Sequence, residues 1–62
     1  MPIVQVSLIE GRTVEQKRKL AAGITDLIVK ELAAPPDAVR VIFQEMSKEN
    51  YSAAGVLFID RK

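Results

Sequence analysis

The sequence predicts an α/β (α+β) protein built on a single β-α-β unit with parallel strands, followed by a C-terminal hairpin. Two segments that are rich in β-branched residues, residues 3–9 and 39–46, show the alternating pattern of strands. Between them, residues 13–32 repeat apolar side chains at helical spacing. A helical connection of this length joins strands that run parallel, with a right-handed crossover.

The first predicted strand carries apolar side chains on both of its faces. This is typical of a strand in a sheet that is covered on both sides. A single helix covers only one of the two faces, so the other face needs a second covering element. The alternating sets are Val4, Val6 and Leu8 on one face, and Ile3, Gln5, Ser7 and Ile9 on the other.

The helix has a clear start signal and a clear stop signal. Thr13 and Gln16 match a capping box, in which each side chain bonds the backbone amide of the other residue. Pro35 and Pro36 end the helix, because proline disfavours helical geometry in the preceding residue. The apolar stripe consists of Leu20, Ala21, Ile24, Leu27, Ile28 and Leu32, whereas Lys17, Arg18, Lys19, Asp26 and Lys30 are expected on the solvated side.

The remainder of the chain predicts a short turn capped by Asp37, the second strand and a hairpin. In the strand, Val39, Val41 and Phe43 alternate with Arg40, Ile42 and Gln44. A polar turn at residues 47–50 and small residues at 51–55 precede an apolar run at residues 56–59. One helix cannot cover both sheet faces and this run, so the excess apolar surface predicts an interface.

Size and composition favour a single domain, residues 1–62, that assembles with copies of itself. A chain of 62 residues without cysteine has no disulfide to stabilise a small core. The chain also lacks histidine, so we expect no metal site and no cofactor. The net charge of +1 gives no reason to expect nucleic acid, and no segment predicts a membrane span or a signal peptide. The expected location is the cytoplasm.

Pro2 is the strongest candidate for a catalytic group. Removal of Met1 would leave a secondary amine at the start of a strand. A free α-amino group has a pKa of about 7.7–8.0, and nearby cations or apolar burial lower it. Such an amine is a neutral base at pH 7. The alternative is that proline in this position has no function.

Three further residues are candidates for ligand binding. Arg12 lies in the loop before the helix, where it is either a solvated cation or an anion ligand. Arg40 interrupts an apolar strand and is either an ion-pair partner or a carboxylate ligand. Tyr51 is either a wall of the site or an interface residue. Two arginines beside a neutral amine would make a site for a small dianion.

These residues, in this order and spacing, resemble the 4-oxalocrotonate tautomerase family, also called the 2-hydroxymuconate tautomerases. The resemblance covers essentially the whole chain. It rests on Pro2, Glu10, Gly11 and Arg12, on Thr13, Glu15, Gln16 and Lys17, on residues 39–42 with Arg40, and on Glu45, Met46, Tyr51 and Gly55.

The resemblance implies a fold, an assembly and a mechanism. Its fold is a β-α-β unit that dimerises into a four-stranded sheet with two helices, and three dimers form a hexamer. Pro2 would move a proton from a dienol hydroxyl to carbon, and Arg40 would bind the oxygen on which charge develops. Arg12 would bind the distal carboxylate, while Ile9 and Tyr51 would lie beside the substrate. The best-known members have phenylalanine at the position of Tyr51.

The resemblance leaves three functions open. The first is a 2-hydroxymuconate-type tautomerase of aromatic hydrocarbon catabolism, an isomerase. The second is a promiscuous tautomerase or a dehalogenase-like relative, for which Tyr51 is only a weak water-activating candidate. The third is a structural oligomer without catalysis, against which the joint presence of Pro2, Arg12 and Arg40 argues.

Overall fold

Two parallel strands and the helix that connects them form the frame of the molecule. The computed structural model describes residues 2–61. Strand β1 is Ile3–Ile9, helix α1 is Val14–Leu32 and strand β2 is Arg40–Met46. The strands pair in parallel, from Ile3 opposite Arg40 to Ile9 opposite Met46. The predicted β-α-β unit is confirmed.

Helix α1 begins at the predicted capping box. The Gln16 amide donates to Thr13 Oγ1 at 3.1 Å, and the Thr13 amide donates to Gln16 Oε1 at 2.9 Å. The helix ends at Leu32, as expected, and is followed by Ala33 in the left-handed conformation with φ 55°. An alanine there is strained, because only glycine adopts this conformation without steric cost.

The connection from α1 to β2 differs in detail from the prediction. A short 3₁₀ helix, Pro36–Ala38, contains Asp37, and its N-cap residue is Pro35 without a side-chain cap. Asp37 is therefore not the cap that we expected. Val39 ends this short helix, so β2 begins one residue later, at Arg40. Val39 is the one buried residue among 2–61, with 8% of its surface exposed.

Helix α1 covers one face of the β1–β2 pair. On that face, side chains such as Val6 and Phe43 are half-buried. On the opposite face, Ile3 is 64% exposed and Ile42 is 48% exposed. The predicted helix stripe is likewise divided: Ala21, Ile24 and Ile28 are half-buried, whereas Leu20, Leu27 and Leu32 are exposed.

The C-terminal hairpin pairs β3, Ser52–Ala53, with β4, Val56–Leu57. Its two-residue turn is formed by Ala54 and Gly55, both with positive φ (54° and 80°), as tight hairpins require. Short 3₁₀ helices, Lys48–Asn50 and Phe58–Asp60, flank the hairpin. The apolar run at residues 56–59 is exposed in the single chain, between 37% and 58% per residue.

The single chain is more extended than a compact domain of its length. Its radius of gyration is 14.8 Å, whereas a compact domain of this length has about 10.6 Å. Its accessible surface is 4915 Å², against about 4000 Å² for a compact protein of this mass. This surplus of open apolar surface supports the expectation of self-association. Among residues 2–61, no helix is both long and apolar enough to cross a membrane.

Candidate active site

The structure places Pro2 and Arg40 side by side at the starts of the two parallel strands. The Arg40 amide donates to the Pro2 carbonyl at 2.9 Å, which fixes the two residues together. Pro2 is half-buried and Arg40 is exposed. The Arg40 guanidinium donates to the carbonyl oxygen of Asp37. Met1, whose removal the prediction requires, lies outside the described residues.

Ile9 and Tyr51 meet at the opposite end of the strand pair. They line a cavity of about 330 Å³ together with Ser7, Leu8 and Met46. The Tyr51 ring packs edge-on against Phe58, with ring centroids 6.1 Å apart and planes at 65°. The Phe58 amide also donates to the Tyr51 carbonyl at 2.8 Å. The C-terminal segment therefore sets the orientation of the tyrosine, which remains 46% exposed.

Arg12 lines a second cavity, of about 380 Å³, between β1 and the start of α1. The other lining residues are Val6, Leu8, Gln16, Lys17 and Leu20. The loop that carries Arg12 is held at both ends. On one side, the Glu10 amide donates to the Met46 carbonyl at 2.8 Å. On the other side, the Thr13–Gln16 capping box holds the helix start.

Gly11 sets the backbone conformation of this loop. Its φ of 125° belongs to a region that L side chains rarely adopt, so glycine suits this position between β1 and Arg12. Within the described chain, Gly11 has open space around the position that a Cβ would occupy. The requirement is therefore conformational rather than steric.

Within one chain, the candidate residues form two separate groups. Pro2 and Arg40 lie at one end of the strands, and Arg12, Ile9 and Tyr51 lie at the other. The six steps from Ile3 to Ile9 span about 20 Å at about 3.3 Å per residue. No small substrate reaches both groups of a single chain.

Both candidate arginines lack a carboxylate partner among residues 2–61. The ion pairs in this range are Lys17 Nζ with Glu45 Oε2 at 2.6 Å, and Arg18 Nη1 with Glu15 Oε1 at 3.3 Å. Arg12 joins neither pair, and Arg40 bonds only a backbone carbonyl. Two guanidiniums without an internal anion are suited to an external one.

Sequence reasoning missed several residues at these cavities. Ser7, Leu8 and Met46 line the Tyr51 cavity. The available signal was the predicted parallel pairing, which places the C-terminal ends of both strands side by side. The expectation that Lys17 is solvated was wrong: its side chain is 24% exposed and paired with Glu45. Gln16 acts as a cap, as its motif predicts.

A β-α-β unit with a hairpin tail is the architecture of the tautomerase fold, and solved tautomerases superpose on it closely. The chain belongs to the tautomerase family, since the family described as "Tautomerase enzyme" matches residues 2–61. It is therefore an enzyme of the tautomerase type, an isomerase.

Three relatives illustrate this membership. A probable tautomerase of Lactiplantibacillus plantarum is 44% identical over 62 residues, covering 100% of this chain and 97% of the relative. A 4-oxalocrotonate tautomerase isozyme from Methylibium petroleiphilum superposes with a TM-score of 0.89 at 46% identity, covering 94% of this chain and 91% of that one. A heterohexamer 4-oxalocrotonate tautomerase from Chloroflexus aurantiacus J-10-fl superposes with a TM-score of 0.92 at 26% identity, covering 100% of both chains.

Proposed function

We propose that this enzyme catalyses keto–enol tautomerisation of a small unsaturated 2-hydroxy or 2-oxo dicarboxylate such as 2-hydroxymuconate. The general base is the secondary amine of Pro2, freed by removal of Met1. The observation that carries the proposal is the pairing of Pro2 with Arg40 at one strand end, together with Arg12 at the other end, which has no carboxylate partner among residues 2–61.

The chemistry follows from an amine next to positive charge. The backbone bond from the Arg40 amide to the Pro2 carbonyl places the two residues at the same end of the strand pair, and in the proposed site the Arg40 guanidinium lies near the amine. A nearby cation disfavours protonation and so lowers the pKa of an amine. The neutral amine then accepts the dienol hydroxyl proton. The electron pair shifts to form the carbonyl, and the same nitrogen delivers a proton to carbon.

The two arginines have different roles in this reaction. Arg40 lies beside the base, so it stabilises the negative charge that develops on the substrate oxygen. Arg12 binds the distal carboxylate and holds the substrate in line. Ile9 and Tyr51 provide the wall of the site, because they line one cavity. This division of roles favours a dianionic substrate, whose second carboxylate Arg12 binds, over a monocarboxylate.

The site is completed by assembly of several copies. The two groups of residues lie about 20 Å apart within one chain, so Pro2 must meet the Arg12 of another copy. The proposed assembly is a homohexamer, a trimer of dimers, and the exposed apolar residues Ile3, Ile42 and Ile59 support such contacts. A dissociated chain should be inactive.

Steady-state kinetics of single variants test the proposal. With 2-hydroxymuconate and with phenylenolpyruvate, the absorbance change gives kcat and KM. We expect Pro2→Ala to lower kcat by about 10²-fold, because it replaces the ring-held secondary amine by a freely rotating primary amine that is poorly positioned as a general base. Arg40→Ala should lower kcat by about 10²–10³-fold, as loss of an oxyanion donor does.

Arg12→Ala should act mainly by raising KM for the dicarboxylate. It should have little effect with the monocarboxylate phenylenolpyruvate. Arg18→Ala is the matched control, because Arg18 is an exposed arginine of α1, 71% accessible, that lines neither cavity. Full activity of the Pro2→Ala variant would remove Pro2 from its role.

A further inference from the structure

Two carboxylates near Arg12, those of Glu45 and Glu15, are engaged by other cations, whereas Glu10 joins no ion pair among residues 2–61. Glu45, at the end of β2, bonds Lys17 at 2.6 Å, and these side chains are 39% and 24% exposed. Glu15, three residues after Arg12, bonds Arg18 at 3.3 Å on the open helix surface. Arg12 shares its cavity with Lys17 and yet has no carboxylate within 4.0 Å among residues 2–61.

The Lys17–Glu45 pair lies where it can affect Arg12. The residue after Glu45 is Met46, whose carbonyl accepts the Glu10 amide at 2.8 Å. This bond brings the end of β2 against the loop that carries Arg12. Lys17 lies one turn into α1 and lines the Arg12 cavity. Partial burial strengthens an ion pair, because water screens it less.

We propose that Lys17 is a positioning residue that holds the Glu45 carboxylate away from Arg12, so that Arg12 stays free for the substrate carboxylate. The inference rests on the proposed role of Arg12 in binding a dicarboxylate. Without Lys17, Glu45 is an unpaired, solvent-accessible anion beside the loop that carries Arg12, a cation with no carboxylate partner among residues 2–61. It then pairs with Arg12 and competes with the substrate for the guanidinium.

Kinetics of a mutant cycle test this inference on the assembled enzyme. Lys17→Met replaces the lysine by an unbranched apolar side chain of similar length, so that the apolar packing of the lysine stem is kept and the charge is removed. We expect it to raise KM for 2-hydroxymuconate by about 3- to 5-fold, the upper part of the range for competition by one partly exposed ion pair. The value of kcat should stay within about 2-fold, since the Pro2–Arg40 end is untouched.

The second substitution distinguishes competition of Glu45 with the substrate from a purely structural role of the Lys17–Glu45 ion pair. Adding Glu45→Gln to the Lys17→Met variant removes the competing anion, so KM should return to within about 2-fold of the parent value. If the ion pair only held α1 against β2, the contact would still be missing in the double variant and KM would stay high. A double variant with KM as high as that of Lys17→Met alone therefore overturns the inference.

Three controls complete the design. Lys19→Met makes the same charge change at a lysine without an ion pair among residues 2–61, and should leave KM unchanged. Glu45→Gln alone should not raise KM, and an increase contradicts the inference. Light scattering and circular dichroism verify that each variant folds and assembles.

Arg12→Ala separates this inference from the proposed function. If Arg12→Ala raises KM and Lys17→Met does not, the proposed positioning role of Lys17 is wrong, whereas the proposed role of Arg12 stands. If Arg12→Ala leaves KM unchanged, Arg12 does not bind the substrate carboxylate, and the role of Lys17 fails with it.

Discussion

Mixed assemblies of two impaired variants should regain activity at substrate concentrations well below KM, because Pro2 and Arg12 of one chain lie at opposite ends of the strands. The first variant, Pro2→Ala, retains Arg12, and the second, Arg12→Ala, retains Pro2. If each site takes Pro2 from one copy and Arg12 from another, a mixed assembly contains some sites with both groups intact. The strand length of about 20 Å between the two groups demands this arrangement.

The expected recovery follows from random mixing. In an equal mixture, the copy that supplies Pro2 is intact in half of the sites, and the same holds for the copy that supplies Arg12. About one quarter of all sites then carry both groups, so activity at substrate concentrations well below KM should reach about 25% of the parent value. With other ratios, activity should follow the product of the two subunit fractions and be highest at equal amounts.

The assay unfolds the two variants together, refolds them by dilution and follows 2-hydroxymuconate by absorbance. Each variant refolded alone gives the background. The two variants refolded separately and mixed afterwards show whether subunits exchange without unfolding. An equal mixture that stays at the background value, with the oligomer mass intact by light scattering, would refute the construction of the site from different copies.

The remaining predictions concern stability and assembly. Ala33→Gly should stabilise the protein by about 1 kcal/mol, because it relieves the left-handed alanine after α1. Thermal unfolding at fixed protein concentration measures this, with Ala34→Gly, whose φ is not positive, as a control that should not stabilise. Thr13→Ala should cost about 1 kcal/mol in the same assay, since it removes the cap on the Gln16 amide. Ile42→Asp, on the uncovered sheet face, should shift the mass from light scattering toward the 6.9 kDa of one chain, and an unchanged oligomer would contradict burial of that face.

Local sequence signals predicted the frame of this protein. The Thr13–Gln16 capping box gave the helix start, and the two prolines after Ala34 gave its end, because both signals act through neighbouring backbone groups. The alternation in the two strands predicted their faces. Small residues before the apolar run indicated the hairpin.

Long-range pairing could not be read from the sequence. Lys17 and Glu45 are 28 positions apart, and only the packing of α1 on β2 brings them to 2.6 Å. Each residue alone has the pattern of a solvated charge. The cavity that joins Ile9 to Tyr51 also depends on where the C-terminal segment folds back, which no local motif specifies.

The division of the candidate residues between two ends of the strands has a related cause. Pro2 and Arg40 are 38 positions apart but adjacent, because parallel strands align their starts. Pro2 and Arg12 are close in sequence but separated by the length of β1. Among these candidate residues, therefore, those that are close in the sequence are not those that are adjacent in space.

The role of the Pro2 nitrogen is tested most directly with two synthetic chains that differ only by Met1. A chain of 62 residues is within reach of chemical synthesis, so residues 1–62 and 2–62 can both be made, refolded and compared in mass and in turnover of 2-hydroxymuconate. With Met1 attached, the Pro2 nitrogen is an amide that accepts no proton, so only the shorter chain should turn over substrate. Equal turnover by two fully assembled preparations, with Met1 verified by mass spectrometry, would show that the base is another group.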